Sequence, residues 1–249
     1  MDLQQITQDC VKTLEDLSYG PPVSHCYNPL IYAGRAYTQY LKKFTQLTPS
    51  VLLLGMNPGP WGMGQTGIPF GEVQLTRDWM GIEEEVDYPD NPHPRRPVDG
   101  FSCTRREVSG RRLFTWAKET YGTAEHFFNQ FFVINYCPLL FFDEAGKNLT
   151  PDKLRKADRG PLFEICDRAL LETVRCLSIQ TVVGVGKFAE KRARHALSDM
   201  SITIGSVLHP SPANPVANRG WAEQARVQLE ELGITLPGTV PVSDSARNE

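Results

Sequence analysis

The chain lacks any long apolar run. No stretch of its 249 residues approaches the roughly 20 consecutive apolar positions that a bilayer crossing needs, so no membrane partner is expected. The opening MDLQQITQDC has neither the basic start nor the apolar segment of a secretory signal. Cys10, Cys26, Cys103, Cys137, Cys166 and Cys176 show no C-x-x-C spacing, which argues against a zinc or redox motif and for reduced, half-buried or buried thiols. His and carboxylate residues form no cluster at metal-ligand spacing, so neither metal nor cofactor is expected. The full G-x-G-x-x-G is absent, and GVGK at 184–187 lacks the spacing of a phosphate-binding P-loop. Nor is there an excess of positive charge: 26 Lys and Arg stand against 29 Asp and Glu.

What is present fits a folded α/β protein. Hydrophobic residues make up 41% and charged residues 22%, enough to bury a sizeable core. A single domain over 1–249 is expected, with a flexible tail from about 236 to 249. The charge is unevenly spread. Residues 83–90 carry Glu83, Glu84, Glu85, Asp87 and Asp90 and no base. Residues 95–112 carry Arg95, Arg96, Arg105, Arg106, Arg111 and Arg112 against Asp99 and Glu107. Acidic segments therefore mask basic ones in the total, and local patches decide phosphate binding. Each run taken alone also fits a merely solvated surface.

Apolar periodicity predicts helices over 4–18 and 31–47, then a buried strand at 50–55, SVLLLG. A short helix is expected at 73–80. The four prolines Pro89, Pro92, Pro94 and Pro97 make 86–104 irregular. A helix follows over 107–121 and a strand over 131–136, FFVINY. Thr150-Pro151 reads as a helix start, Thr capping and Pro in the first turn, with the helix running to about 178. Strands at 179–185 and 202–208 alternate with helices at 186–200 and 217–232. Strands separated by long helical stretches imply crossover connections. The expected fold is a three-layer α/β/α sandwich around a four-stranded parallel sheet. Ligands bind such sheets beyond the carboxyl ends of the strands.

Those strand exits carry distinctive residues. The first runs into Met56, Asn57, Pro58 and Gly59; the second ends at Asn135; the third meets Gly184-Val185-Gly186 and then Lys187; the fourth meets His209. None is specific alone, since Asn commonly forms turns and a lone His is more often structural. Their convergence on one edge is the signal. Gly55, Gly59, Gly62, Gly64 and Gly67 bare the backbone for close approach, and Phe70 and Trp61 suit a flat, unsaturated ligand. The segment HPSPANPVANRGW at 209–221 is stiffened by three prolines and made of small residues, so it suits a wedge into a base stack. Lys187, Lys191 and Arg194 fall on one helical stripe that fits plain solvation and, with Arg219, also suits a phosphodiester backbone.

The stretches GMNPGPWGMGQTGIPFGEV (55–73), EVSGRR (107–112), NYCPL (135–139), VGVGKFAEKRAR (183–194) and HPSPANPVANRGW (209–221) resemble the single-strand-selective monofunctional uracil-DNA glycosylases. The resemblance implies base excision from single- and double-stranded DNA containing uracil, by a monomer without lyase chemistry. Asn57 would orient the attacking water, and His209 would donate to uracil O2 as charge grows there. Met56 and Gly59 would add backbone contacts, Phe70 would stack on the base, and Asn135 would accept from N3–H and donate to O4. Gly59 leaves room beside C5, so 5-hydroxymethyluracil is expected to fit. Lys187, Lys191, Ser211, Pro212, Ala213, Asn214 and Arg219 would meet the DNA. Ala213 departs from the family, whose vertebrate members typically carry Arg in this segment, and weaker invasion of duplex DNA is the expected result. The lack of a basic N-terminal extension points to a bacterial cytoplasm, with the nucleus as the compartment of a eukaryotic member. The rival reading is a non-catalytic, lesion-sensing DNA-binding module, which has no need of Asn57 and His209 together.

Overall fold

The protein is described over residues 2–238 in a computed structural model, where short segments of two to five residues form the strands. In chain order they are β1 (His25–Tyr27), β2 (Val51–Gly55), β3 (Phe131–Asn135), β4 (Leu140–Phe142), β5 (Asn148–Leu149), β6 (Thr181–Val185) and β7 (Thr203–Val207). The helices are α1 (Leu3–Glu15), α2 (Pro29–Tyr32), α3 (Gly34–Phe44), α4 (Met63–Thr66), α5 (Val73–Asp78), α6 (Val108–Tyr121), α7 (Ala124–Gln130), α8 (Lys156–Cys176), α9 (Lys187–Ala196) and α10 (Trp221–Glu231).

The main sheet is four-stranded and parallel, in the order β3-β2-β6-β7. Every residue of β2 is buried, as a central strand covered on both faces requires. Two glycines show what covers each face. A Cβ on Gly184 would lie 2.3 Å from the backbone nitrogen of Glu190, so α9 presses directly on β6. A Cβ on Gly205 would lie 2.3 Å from the Leu232 side chain, just past α10. Gly205 pairs with Val183, one residue out of step with Gly184, so the two helices lie on opposite faces. Helices α1 and α8 join α9 on one face, while α6 packs with α7 and α10 on the other. That is the expected three-layer sandwich. The aromatic core gathers where Trp116, Tyr121 and Phe127 surround Phe131 at the start of β3.

Four details differ from the sequence-based expectations. A second sheet, antiparallel in the order β1-β4-β5, forms beside the first. Its strands are two or three residues long, too short to show a period. Helix α7 lies in a segment given no element, and Thr123 caps it by accepting from the backbone N–H of His126. Thr150-Pro151 opens only a 3₁₀ turn, and α8 begins at Lys156. The side chain of Thr150 donates to Asp152 rather than capping a helix. The expected 31–47 helix is broken at Ala33, so that α2 and α3 are separate. Leu236 is buried in the core. Most of the expected tail, residues 239–249, lies outside the described residues.

Candidate active site

Strand exits supply the site. Asn135 ends β3 in register with Gly55, the last residue of β2. The pairing runs on past both strands, with Tyr136 N–H donating to Gly55 O and Cys137 N–H to Met56 O, each at 2.9 Å. The Asn57 loop is therefore anchored to its neighbour. On the other side, His209 must reach across from β7. Gly186, at the exit of β6, lets it pass: its φ is +95°, and a Cβ there would meet the His209 Cβ at 3.2 Å. The two glycines of Gly184-Val185-Gly186 thus serve packing, one against α9 and the other beside His209.

These residues close around one cavity of about 330 Å³, lined by Met56, Asn57, Gly59, Phe70, Asn135, His209 and Ser211 among others. Lys187, Lys191, Pro212, Ala213, Asn214 and Arg219 lie outside that lining, on α9 and on the segment after β7. Within the α9 stripe, Lys187 and Arg194 both engage Glu190, at 2.8 and 2.9 Å. Chiefly through its bond to Lys187, that carboxyl is drawn down to about 2. Lys191 and Arg219 are exposed and make no ion pair among the described residues. Trp61 does not line the cavity; its ring carries the Arg105 guanidinium at 4.2 Å and that of Arg96 at 5.4 Å.

Each polar side chain in the cavity is held in a defined state. The Asn57 amide nitrogen donates to Pro58 O and Leu139 O, both at 3.4 Å, which leaves Oδ1 free to accept. The backbone N–H of Ser211 donates to His209 Nδ1 at 3.1 Å. Nδ1 must then carry a lone pair, and the ring proton sits on Nε2. Burial lowers the His209 pKa, so the neutral ring is favoured. The Asn135 Nδ2 donates to Met63 Sδ at 3.2 Å, while its Oδ1 is buried with no partner among the described residues. Such an orphan acceptor costs about 1–3 kcal/mol until a donor arrives. Gly55 makes room for this arrangement: a Cβ there would lie 2.1 Å from Asn135 Oδ1 and 2.6 Å from the Phe70 ring. Phe70 itself adopts φ +56°, a left-handed conformation that is uncommon for an aromatic residue. Phe70 and His209 stand with ring centroids 6.4 Å apart.

Sequence reading passed over several members of the lining, among them Met63, Glu107, Ser109, Asn148 and Thr150. A Cβ on Gly59 would strike Glu107 Oε2 at 2.2 Å, so the bare position admits that carboxyl. Burial raises the Glu107 pKa, with the backbone N–H groups of Trp61 and Ser109 pulling the other way. Asn148 Oδ1 is a second buried acceptor without a partner among the described residues. The EVSGRR stretch contained Glu107, but nothing local marked its contact with Gly59. Asn148 arrives on the short β5, which had no signal of its own.

A free amide acceptor, a neutral imidazole donor, a second amide and an aromatic face thus line one cavity. A profile of the Uracil DNA glycosylase superfamily matches residues 42–229. The single-strand selective monofunctional uracil-DNA glycosylase of Rattus norvegicus is 46% identical over 223 residues, covering 89% of this chain and 80% of the rat protein. Its counterpart in Mus musculus is 45% identical with the same coverage. The crystal structure of Pedobacter heparinus SMUG2 has the same fold, with a TM-score of 0.63, 20% identity, and coverage of 92% of this chain and 98% of that one.

Proposed function

The chain belongs to the uracil-DNA glycosylase superfamily, and on that premise we propose that it hydrolyses the N-glycosidic bond of uracil in DNA, leaving an abasic site. The observation that carries this reading is the shared cavity: Asn57 with a free Oδ1 and His209 with its proton on Nε2 line the same wall-to-wall space. Uracil lies inside a base stack, so the nucleotide must be extruded into the pocket or presented on a single strand. Once there, its N3–H meets the orphan Oδ1 of Asn135, and Phe70 covers the ring. Cytosine has a lone pair at N3 and would leave that oxygen unsatisfied, at a cost of about 1–3 kcal/mol.

Bond cleavage makes the sugar oxocarbenium-like and the departing base anionic. The His209 Nε2–H donates to the oxygen on which that charge grows, and needs no net charge of its own to do so. A water held by Asn57 Oδ1 attacks C1′. In so dissociative a path the water needs positioning more than deprotonation, which is why a neutral amide suffices. The room expected beside Gly59 is filled by the Glu107 carboxyl, so a 5-hydroxymethyl substituent would meet that carboxyl, which can accept a hydrogen bond from its hydroxyl. The exposed Ala213 gives the proline-stiffened wedge no cationic tip, which favours single-stranded substrate.

Asn57→Ala tests the scheme. In a gel assay with a uracil oligonucleotide it should lose about 100-fold or more in single-turnover excision while still binding the DNA. Full excision by this variant removes the water-positioning role. A wild-type protein that binds uracil DNA without cutting the glycosidic bond would instead be a lesion sensor.

A further inference from the structure

We propose that an open groove beside the base pocket, of about 470 Å³ and floored by Trp116 and Trp221, is the track for the phosphates of the strand that carries the extruded nucleotide. The inference rests on the glycosylase reading and extends it to a surface that the strand-exit motifs did not include. The groove lies between the first turns of α6 and the segment leading into α10, with Arg106, Arg111 and Arg112 in its walls.

Three observations identify the occupant. First, the free polar groups in the groove are mostly donors. Arg106 and Arg111 are exposed, and their side chains make no ion pair or hydrogen bond among the described residues. The Trp116 indole N–H is buried without an acceptor among the described residues. Glu119 is the one carboxylate in the lining. A ligand that only accepts, and is anionic, complements this set; a phosphodiester is such a ligand, and arginine forks bind its oxygens well. Second, groove and pocket share a ridge. Along 106–109, Glu107 and Ser109 line the base cavity, while Arg106 and Val108 line the groove. A strand with one nucleotide in the cavity lays its next phosphates across that ridge. Third, the groove is tied to the wedge. Arg112 donates to Pro210 O at 3.0 Å and to Asn218 Oδ1 at 2.8 Å, which fixes α6 against the segment that follows His209. Arg112 therefore holds the groove's shape, and Arg106 and Arg111 are the contacts free to reach DNA.

The test measures binding of the full chain to a uracil oligonucleotide, single-stranded and in duplex, across a salt series. With Arg106→Ala/Arg111→Ala, the plot of log affinity against log salt should be shallower by about 1.4 on the single strand, since each phosphate contact contributes about 0.7. Affinity at low salt should fall at least about tenfold on both substrates. Arg106→Lys/Arg111→Lys keeps the charge and should restore most of the slope, which a folding defect would not allow. An unchanged slope in the alanine variant overturns the proposal. A loss confined to the duplex overturns it too, because the groove would then serve the opposite strand. Excision by the wild type is scored separately: a wild type that binds but does not excise sinks the glycosylase reading, while the slopes still judge the groove.

Discussion

His209 shows how one backbone contact sets the chemistry of a side chain. Because Ser211 N–H occupies Nδ1, the ring can donate only from Nε2, and protonation would set two N–H groups against each other. Burial acts in the same direction and lowers the pKa. The sign of the pH dependence follows. The ring stays neutral at and above its ordinary value of about 6.5 and takes up a proton only when pH falls through the depressed one. Single-turnover excision should therefore be flat from pH 8 to about 6.5 and decline in more acid solution. Stability shifts likewise, since the unfolded chain binds this proton first as pH falls. His209→Ala should slow excision by roughly 10²–10³-fold with little change in DNA binding. A variant that binds poorly but cleaves at the normal rate would make His209 a binding residue. The sequence placed this imidazole at a strand exit, but its tautomer depends on a turn that only the folded segment reveals.

At the scale of elements, glycine decides how closely the layers approach. Gly110, in the first turn of α6, lies so near the loop before α5 that an added Cβ would stand 2.0 Å from the Phe70 carbonyl oxygen. That oxygen also accepts from Glu72 N–H at 2.8 Å, so it cannot simply move aside. Gly110→Ala should destabilise the protein by roughly 1–3 kcal/mol in urea denaturation, and should weaken uracil binding by shifting Phe70. Gly34→Ala is the control: a Cβ there meets nothing within 4 Å, and stability should change by less than about 1 kcal/mol. Equal losses in the two variants would show that the tight contact at Gly110 is not what matters. The GVG turn teaches a related lesson. In sequence it lacked the spacing of a phosphate loop, and in the fold its glycines make space for α9 and for His209.

Over the whole molecule, charge and chemistry are segregated. The acidic run is partly neutralised at the surface, where Arg35 pairs with Asp87 at 2.9 Å and Arg77 with Glu83 at 2.8 Å. The arginines of α6 keep their charge for a partner. A net charge of −3 thus coexists with a groove walled by three arginines. The cavity lining contains no lysine among the described residues, so no amine stands ready to attack C1′ and form an imine. Borohydride added during excision should trap no protein–DNA adduct, and the product should remain an uncleaved strand with an abasic site until base or heat is applied. A covalent band on a denaturing gel would contradict the monofunctional reading.

The sequence alone determined the parallel sheet and the identity of its strand exits. Buried strands and amphipathic helices announce themselves through residues near one another in the chain, and Asn57, Asn135 and His209 sit within two residues of such strand ends. The Met-Asn-Pro-Gly and His-Pro-Ser-Pro runs needed no partner to be noticed. Only the tertiary structure brought Glu107 against Gly59, set Asn148 in the pocket wall, and joined Arg106 and Arg111 to a groove floored by Trp221. Those relations link segments far apart in the chain, and close packing between layers, rather than any local period, fixes which of them meet.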